Sequence, residues 1–155
     1  TCAFSVAALR AGVAQVVNVD MAGGALATGR QNHRLNGLEA GALFWDHDIF
    51  SSWGKITRHG AYGLVIIDPP SYQKGSFVAT KDYARILRRL PDLLEPGGHA
   101  LLCLNAPELG TAFLQEQMQA LAPELAFVER VANPAVFADV SQDRSLKVLV
   151  YRAPE

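Results

Sequence analysis

Residues 64–72 have the sequence LVIIDPPSY, in which four branched apolar residues are followed by a carboxylate and two prolines. A short apolar run without polar alternation is typical of a strand buried on both faces of a parallel sheet. Two successive prolines cannot continue such a strand, so we expect the chain to leave the sheet at Asp68. Ligands of open α/β sheets bind outside the carboxyl ends of the strands. These residues therefore predict a parallel sheet with a reaction site at Asp68.

The composition indicates a globular protein. The 155 residues are 50% hydrophobic and 19% charged, with a formal net charge of −1, so any anionic partner would need a local basic patch. Two cysteines, Cys2 and Cys103, lie far apart and outside metal-binding spacings, which favours a reduced cytoplasmic protein. The sequence has no apolar run of membrane-spanning length and no secretory leader, so we expect neither membrane insertion nor secretion.

Strand-like and helix-like segments alternate along most of the chain. Strands are predicted at 14–20, at 42–50, where the strand runs into a turn near Asp46, and at 64–67, 99–105, 125–131 and 147–152. Helices are predicted at 1–12, 21–35, 53–60, within 72–94 and at 108–122, and the helix at 21–35 should stop at Asn36-Gly37, where glycine favours a left-handed conformation. This alternation predicts a doubly wound, Rossmann-like α/β sheet that is mostly parallel. No helix separates the last two strands, so we expect them to pair antiparallel at one edge of the sheet.

The first predicted helix, residues 1–12, has no strand before it. A doubly wound sheet normally places a strand ahead of each helix. We therefore expect that residues 1–155 form a single domain that lacks its first strand. On this interpretation the chain is the C-terminal part of a longer protein.

Asp20 ends the first strand of the chain. A carboxylate at this position of a nucleotide-binding α/β fold accepts hydrogen bonds from both ribose hydroxyls. The alternative is that Asp20 caps the helix that follows. Gly23 and Gly24, in the first turn of that helix, each cost about 1 kcal/mol relative to alanine, which indicates close approach by backbone or ligand.

Asp48 follows the next strand, where it could accept a hydrogen bond from an adenine amine while the amide of Ile49 faces the ring. A metal site at Asp46, His47 and Asp48 is disfavoured, because consecutive side chains on an extended chain point in divergent directions.

A basic segment follows the Asp68 turn, with five cations against the single acid Asp82. Arg85, Arg88 and Arg89 have the i, i+3 and i, i+4 spacing of one helical face. Such a face would suit phosphate contacts with a nucleic acid. An ordinary solvated surface explains the same pattern. The cations are Lys74, Lys81, Arg85, Arg88 and Arg89.

Several motifs, taken together and in order, resemble those of class I S-adenosylmethionine-dependent methyltransferases. They are Asp20, Asp48, the Asp-Pro-Pro turn at 68–70 and Pro-Gly-Gly at 96–98. Residues 18–20, 30–37 and 68–77 are similar to those of the bacterial large-subunit ribosomal RNA methyltransferases. The resemblance covers nearly the whole chain.

The resemblance implies a cofactor site for S-adenosyl-L-methionine, in which Asp20 holds the ribose, Asp48 and Ile49 hold the adenine, and the first residues contact the methionine part. The complete predicted set is Thr1, Cys2, Ala3, Phe4, Asp20, Met21, Asp48, Ile49 and Asp68. No metal is implied.

The resemblance also implies that Asp68, Tyr72 and Asn105 form the catalytic site. Cytosine-methylating relatives use a cysteine nucleophile just past the family's fifth strand, which corresponds to 99–105 here, and the matching residue of this chain is Asn105. Cys103 lies within that strand and is interpreted as a buried hydrophobe. Asn105 instead resembles the asparagine of guanine-N7-methylating relatives. We therefore expect methylation of a base nitrogen in ribosomal RNA.

Three alternatives to this function stay open. The first is cytosine-C5 methylation or methylation of another substrate, and the second is an inactive, truncated cofactor-binding module. The third is a nicotinamide-dependent oxidoreductase, which Asp20 alone would fit. The chain has no G-x-G-x-x-G motif, however, and this function would leave the Asp-Pro-Pro turn unexplained.

Overall fold

The computed structural model describes residues 1–70, 72–73, 77–137 and 139–155. The chain divides into two compact units, residues 1–55 and 56–155. The strands are β1 (Val16–Asp20), β2 (Ala42–Asp46), β3 (Tyr62–Ile67), β4 (Tyr72–Gln73), β5 (Phe77–Val78), β6 (Leu94–Leu104), β7 (Ala126–Arg130) and β8 (Lys147–Arg152). The helices are α1 (Ala3–Arg10), α2 (Gly23–Leu35), α3 (Trp53–His59), α4 (Ala79–Leu87), α5 (Leu90–Leu93) and α6 (Thr111–Leu121).

The first unit contains the parallel pair β1–β2. Asp20 lies opposite Asp46 in this ladder, so both strands end in a carboxylate at the same edge. The crossover helix α2 buries Leu26 and His33 almost completely. Gly37 follows α2 with φ of +66°, a left-handed conformation that ends helices and that other residues adopt rarely. The predicted strand–helix–strand arrangement and its glycine stop are confirmed.

The second unit contains a four-stranded sheet in the order β3-β6-β8-β7. β3 and β6 run parallel, whereas β8 lies between β6 and β7 and is antiparallel to both. Within the described part of this sheet, β8 is the one reversed strand. The expected antiparallel pairing of the last two strands is confirmed, and it places β7 at the edge.

β3 is less buried than its apolar sequence predicted. Among its residues only Ile67 is buried, and Leu64 remains 47% exposed. The physical reason is the position of β3 in the described structure, at an edge of the four-stranded sheet rather than in its middle. The end of the strand agrees with the prediction, because β3 stops at Ile67 and Asp68 follows it directly.

The segments on either side of α4 also differ from the prediction. Residues 72–73 and 77–78 form the short antiparallel pair β4–β5, and α4 begins only at Ala79. Strand β6 begins at Leu94 rather than at residue 99, because Leu94 already pairs with Tyr62 of β3. A register shift between Tyr62 and Leu64 accommodates the Pro-Gly-Gly sequence at 96–98 inside the strand.

The core of the second unit is formed by side chains from the sheet and from α4, α5 and α6. Each fully buried leucine contributes about 1.5–3 kcal/mol. No helix in the described ranges is long and apolar enough to cross a membrane. The largest side chains with less than 2% exposure in this unit are Tyr83, Leu87, Leu90, Leu102, Leu104, Leu114, Met118, Lys147 and Leu149.

Candidate active site

Asp68 lies at the carboxyl end of β3, where its sequence context placed it. Its side chain is exposed, yet partial burial raises the pKa of its carboxyl above the ordinary value of 3.8. Desolvation disfavours the charged form of an acid. Asp68 therefore gains more from a hydrogen-bond donor or a positive charge than a fully solvated carboxylate would.

Asn105 follows β6, the neighbour of β3, and lies at the same end of the sheet as Asp68. β6 ends at Leu104, and Ile67 of β3 pairs with Leu102 of β6 in the parallel ladder. Because parallel neighbours end at one edge, the structure brings Asp68 and Asn105 to adjacent strand ends. The Asn105 side chain is exposed there.

Tyr72, the third predicted catalytic residue, lies on β4 opposite Val78 of β5. Its side chain is 68% exposed. An exposed phenol ring offers both an apolar face and a hydroxyl to a flat partner such as a base. Its neighbour Ser71 lies outside the described residues. The catalytic roles of Tyr72, Asp68 and Asn105 stay predictions.

Tyr83 of α4 connects these elements and was not predicted from the sequence. Its side chain is fully buried, and its hydroxyl donates a hydrogen bond to the main-chain oxygen of Cys103 at 2.6 Å. The same hydroxyl lies 3.4 Å from the main-chain oxygen of Ile67. The sequence signal was the position of Tyr83 on the apolar stripe of α4, which predicts burial but no particular partner.

Cys103 is buried within β6, and its thiol stays protonated. Burial, together with the negative charge of Asp68, raises the pKa of Cys103 to about 12. The thiolate is the reactive form, and at neutral pH it amounts to roughly one molecule in 100,000 for such a pKa. The interpretation of Cys103 as a buried hydrophobe agrees with this environment.

Asp20, in the first unit, forms the turn that leads into α2. Its Oδ1 accepts a hydrogen bond from the main-chain N–H of Ala22 at 2.8 Å. The N-cap position of α2 is occupied by Ala22, which has no side-chain cap. Asp20 thus shapes the approach to the helix without capping it.

Gly23 allows the end of β2 to approach the start of α2. A Cβ atom added to Gly23 would lie 2.8 Å from Oδ2 of Asp46, closer than real contacts permit. Nothing lies within 4 Å of a Cβ added to Gly24. A close approach is therefore present at Gly23 but not at Gly24, and a side chain makes it rather than the backbone or ligand that the sequence predicted.

Asp48 caps a single 3₁₀ turn, Ile49–Ser51, by accepting a hydrogen bond from the N–H of Phe50 at 2.9 Å. Nε2 of the neighbouring His47 accepts a hydrogen bond from Nζ of Lys55 at 2.8 Å. In the part of the chain that the structure describes, no group of three acidic, histidine or cysteine side chains could hold a metal ion.

The start of α1 is held by buried polar contacts that the sequence did not reveal. Ser5 Oγ lies 2.8 Å from Nε2 of His33 and accepts a hydrogen bond from the Asn18 amide at 3.0 Å. Nδ1 of His33 must donate to the Gly29 carbonyl, 2.8 Å away, because a carbonyl only accepts. The network fixes α1 against β1 and α2.

The first four residues and Met21 are the remaining predicted cofactor contacts. Asn32 Nδ2 donates to the main-chain oxygen of Thr1 at 3.0 Å. Cys2 adopts a left-handed conformation with φ of +58°, which is uncommon for a residue with a side chain. Phe4 is 48% exposed and Met21 is 57% exposed. Thr1 and Ala3 are exposed as well.

A polar cluster ties the segment before β8 to the turn after Asn105. Nζ of the fully buried Lys147 donates to the main-chain oxygens of Ala106, at 2.7 Å, and Asp143, at 3.1 Å. The carboxylate of Asp143 accepts from Thr111 N–H at the start of α6, 3.2 Å away. Burial lowers the pKa of Lys147 below its ordinary value. No local sequence pattern marks this cluster, because its partners are distant in the chain.

The basic segment is exposed on and after α4. Lys81, Arg85, Arg88 and Arg89 are all exposed. Arg85 forms an ion pair with Asp82 at 3.0 Å, and Arg89 lies 3.8 Å from Asp92. Lys74 lies outside the described residues.

The chain was compared with known proteins. Residues 1–152 match the family described as S-adenosylmethionine-dependent methyltransferase. This chain belongs to that family. The match covers both units and agrees with the resemblance seen in the sequence motifs.

The relatives of this chain include proteins named as ribosomal RNA methyltransferases. The chain is 34% identical over 145 residues to ribosomal RNA large subunit methyltransferase I of Photobacterium profundum, covering 87% of this chain and 36% of that protein. It is 35% identical over 103 residues to the protein of the same name from Aeromonas hydrophila, covering 63% of this chain and 26% of that protein. The chain thus spans about a quarter to a third of the length of these curated relatives.

Solved structures share the fold. SMU.776, described as a candidate methyltransferase and solved in complex with S-adenosylhomocysteine (SAH), superposes with a TM-score of 0.88 at 26% identity. The match covers 99% of this chain and 43% of that one. A methyltransferase structure from Agrobacterium tumefaciens, at 19% identity and a TM-score of 0.73, shows the same doubly wound α/β fold.

Proposed function

We propose that the protein transfers a methyl group from S-adenosylmethionine to a base nitrogen of large-subunit ribosomal RNA, with N7 of a guanine as the acceptor. The observation that carries this proposal is the placement of Asp68 and Asn105 at adjacent ends of β3 and β6. The class of substrate comes from the relatives named ribosomal RNA large subunit methyltransferase I. The proposal includes a cytoplasmic location.

Two carboxylates of the first unit can accept hydrogen bonds from the nucleoside part of the cofactor. A carboxylate has about four acceptor positions. Asp20 uses Oδ1 for the N–H of Ala22, and Asp48 uses Oδ1 for the N–H of Phe50. The remaining capacity of Asp20 suits ribose hydroxyls, and that of Asp48 suits the adenine amine. Bound S-adenosylmethionine supplies a methyl group on a positively charged sulfonium.

Asp68 and Asn105 offer complementary contacts to a guanine. The Asp68 carboxylate accepts hydrogen bonds from the N1–H and N2–H donors of the base, and the Asn105 amide donates to its O6. The N7 lone pair attacks the methyl carbon while the carbon–sulfur bond breaks, so no proton must leave the acceptor. The negative charge of Asp68 stabilises the positive charge that the purine gains in this step.

A covalent cytosine route is not supported by the second unit. Methylation of cytosine at C5 proceeds through a covalent adduct with a cysteine thiolate. Cys103 is buried, and the pKa of its thiol, raised to about 12 by its surroundings, keeps it protonated. A ring nitrogen needs only positioning and a good electrophile.

The exposed cations of α4 and its C-terminal end supply a surface for the RNA phosphates. Lys81 and Arg88 present their charges directly, and Arg85 and Arg89 keep exposed guanidinium groups beside their carboxylate partners. Binding through such contacts weakens steeply with salt, by a slope of about −0.7 to −0.9 per phosphate contact. Lys74 is included in the proposal from the sequence alone.

The direct experiment incubates the full-length protein with methyl-labelled S-adenosylmethionine and ribosomal RNA from cells that lack the enzyme. The proposal predicts label in the large-subunit RNA that nuclease treatment releases. Label found only in protein or in small molecules would contradict an RNA substrate.

RNA containing 5-fluorocytidine separates the nitrogen and carbon routes. A cysteine-dependent cytosine methylase becomes trapped as a covalent complex with this base, because the fluorine blocks the release step. We expect no covalent complex by denaturing electrophoresis. A trapped complex would replace the nitrogen acceptor by cytosine C5.

A further inference from the structure

Tyr83 contacts the strands that lead to Asp68 and Asn105, and it also contacts β5, the partner of the strand β4 that carries Tyr72. Its hydroxyl donates to Cys103, two positions before Asn105 on β6, and lies near the carbonyl of Ile67, one position before Asp68 on β3. Its ring packs edge-on against Phe77 of β5, with ring centroids 6.2 Å apart.

The hydroxyl lies where the backbone ladder between β3 and β6 ends. The last residue pair of that ladder is Ile67 with Leu102. Beyond this pair the two strands are no longer joined by the parallel ladder. Asp68 and Asn105 both lie beyond the Ile67–Leu102 pair. A buried hydroxyl between the carbonyls of Ile67 and Cys103 therefore restrains the two strand ends at the point where they separate.

The surroundings keep Tyr83 in one state. It has no exposed surface. Burial, with contributions from Cys103 and Asp68, raises the pKa of its hydroxyl well above 10.0, so the group remains a donor throughout the physiological pH range. A buried aromatic with a satisfied hydroxyl is a rigid spacer, because few rotamers are available to it.

From this geometry we propose that Tyr83 is a positioning residue that sets the separation of Asp68 and Asn105 and orients the β4–β5 pair that carries Tyr72. The inference rests on the proposed function, because it assigns Tyr83 to the same acceptor site. Tyr83 touches no reacting atom. It acts through the two main-chain carbonyls and through Phe77.

The test compares Tyr83→Phe with Tyr151→Phe in the full-length protein. Tyr151 is also a buried residue, belongs to the same sheet on β8 and packs against Phe127, so it controls for the removal of a tyrosine hydroxyl elsewhere in this unit. Tyr83→Phe is expected to lower kcat by about tenfold to a hundredfold, the cost of a misplaced catalytic group. The KM values for RNA and cofactor should change by less than about twofold, since the binding groups stay in place.

A crystal structure of each variant gives a readout that does not depend on the RNA activity. We expect the Cα atoms of Asp68 and Asn105 in Tyr83→Phe to shift relative to each other by more than about 0.5 Å, the tolerance of a preorganised site. Tyr151→Phe should leave both kcat and this separation unchanged.

An unshifted Asp68–Asn105 separation in Tyr83→Phe would overturn the inference, as would an equal loss of kcat in both variants. A shifted separation supports it even if the wild-type protein methylates no RNA. That second result would contradict the proposed function alone. If Tyr83→Phe lowers the melting temperature, single-turnover rates at reduced temperature on the folded protein decide the kcat comparison.

Discussion

Lys147 donates a hydrogen bond from Nζ to the main-chain oxygen of Ala106, 2.7 Å away, although no part of its side chain reaches solvent. This bond joins β8 to the turn that follows Asn105. Within the described residues, its two hydrogen-bond acceptors are main-chain oxygens, so the ammonium is held there without a carboxylate in direct contact. Such a charge is expensive to bury.

The buried Lys147 predicts a specific pH dependence of stability. Because its pKa is lowered in the folded state, the free energy of unfolding should rise as pH increases from the folded pKa to the unfolded value near 10.5. Lys147→Met should lack this rise. Urea unfolding of both proteins across alkaline pH measures the difference, in which the titration of other groups cancels. Parallel stability curves would contradict the prediction.

Asp82 should stabilise the start of α4. It is buried, and although burial opposes ionisation, the hydrogen bond from the Val78 N–H at 2.9 Å and the ion pair with Arg85 hold the pKa of Asp82 below 3.8. Asp82→Ala should cost about 1–3 kcal/mol, because the Val78 N–H and the Arg85 guanidinium both lose the carboxylate as a partner. The contribution is present above pH 3.8 and is lost as pH falls through the lower folded pKa.

Asp92→Ala is the matched control for Asp82→Ala. Asp92 is exposed and lies 3.8 Å from Arg89, so its removal should cost less than about 1 kcal/mol. Chemical denaturation at neutral pH measures both variants. Equal losses would show that the hydrogen bond to Val78 contributes nothing special.

Gly23 and Gly24 should respond oppositely to alanine. Gly24→Ala adds a methyl group to open space on α2 and should stabilise the protein by up to about 1 kcal/mol, the helix propensity difference. Gly23→Ala places Cβ 2.8 Å from Oδ2 of Asp46 and should be neutral or destabilising, because Asp46 must move. Thermal unfolding of the two variants tests this difference, and equal shifts in melting temperature would exclude the steric explanation.

Asp68→Asn should lower the rate of methyl transfer by about a hundredfold, because the amide removes the charge opposite the developing cation. Partial burial raises the pKa of Asp68, so the wild-type rate should fall as pH drops through a value above 3.8. The acid limb of the kcat profile should disappear in Asp68→Asn and remain in Asp92→Asn. An unchanged limb in Asp68→Asn would assign it to another group.

The sequence predicted the elements whose signals are local. The prolines after Asp68 and the glycine at residue 37 predicted the ends of β3 and α2 correctly. Both residue types act directly on the local backbone conformation. Burial of β3 was overestimated, since an apolar strand has the same sequence pattern in the middle of a sheet and at its edge. The β4–β5 pair escaped notice because two-residue strands carry no periodicity.

The candidate site divides in the same way. Asp20, Asp48, Asp68 and Asn105 follow strands directly, so strand prediction located them. Tyr83 and Lys147 act through main-chain carbonyls that lie 20 and 41 positions away in the chain. Such partners are fixed by tertiary packing, and no residue-spacing pattern encodes them.

Nucleoside analysis of the methylated RNA tests the central claim most directly. Ribosomal RNA treated with the full-length wild-type protein and S-adenosylmethionine would be digested to nucleosides and examined by mass spectrometry against standards. We expect 7-methylguanosine that is absent without enzyme and strongly reduced with Asp68→Asn. New 5-methylcytidine, with no change in 7-methylguanosine, would contradict the central claim.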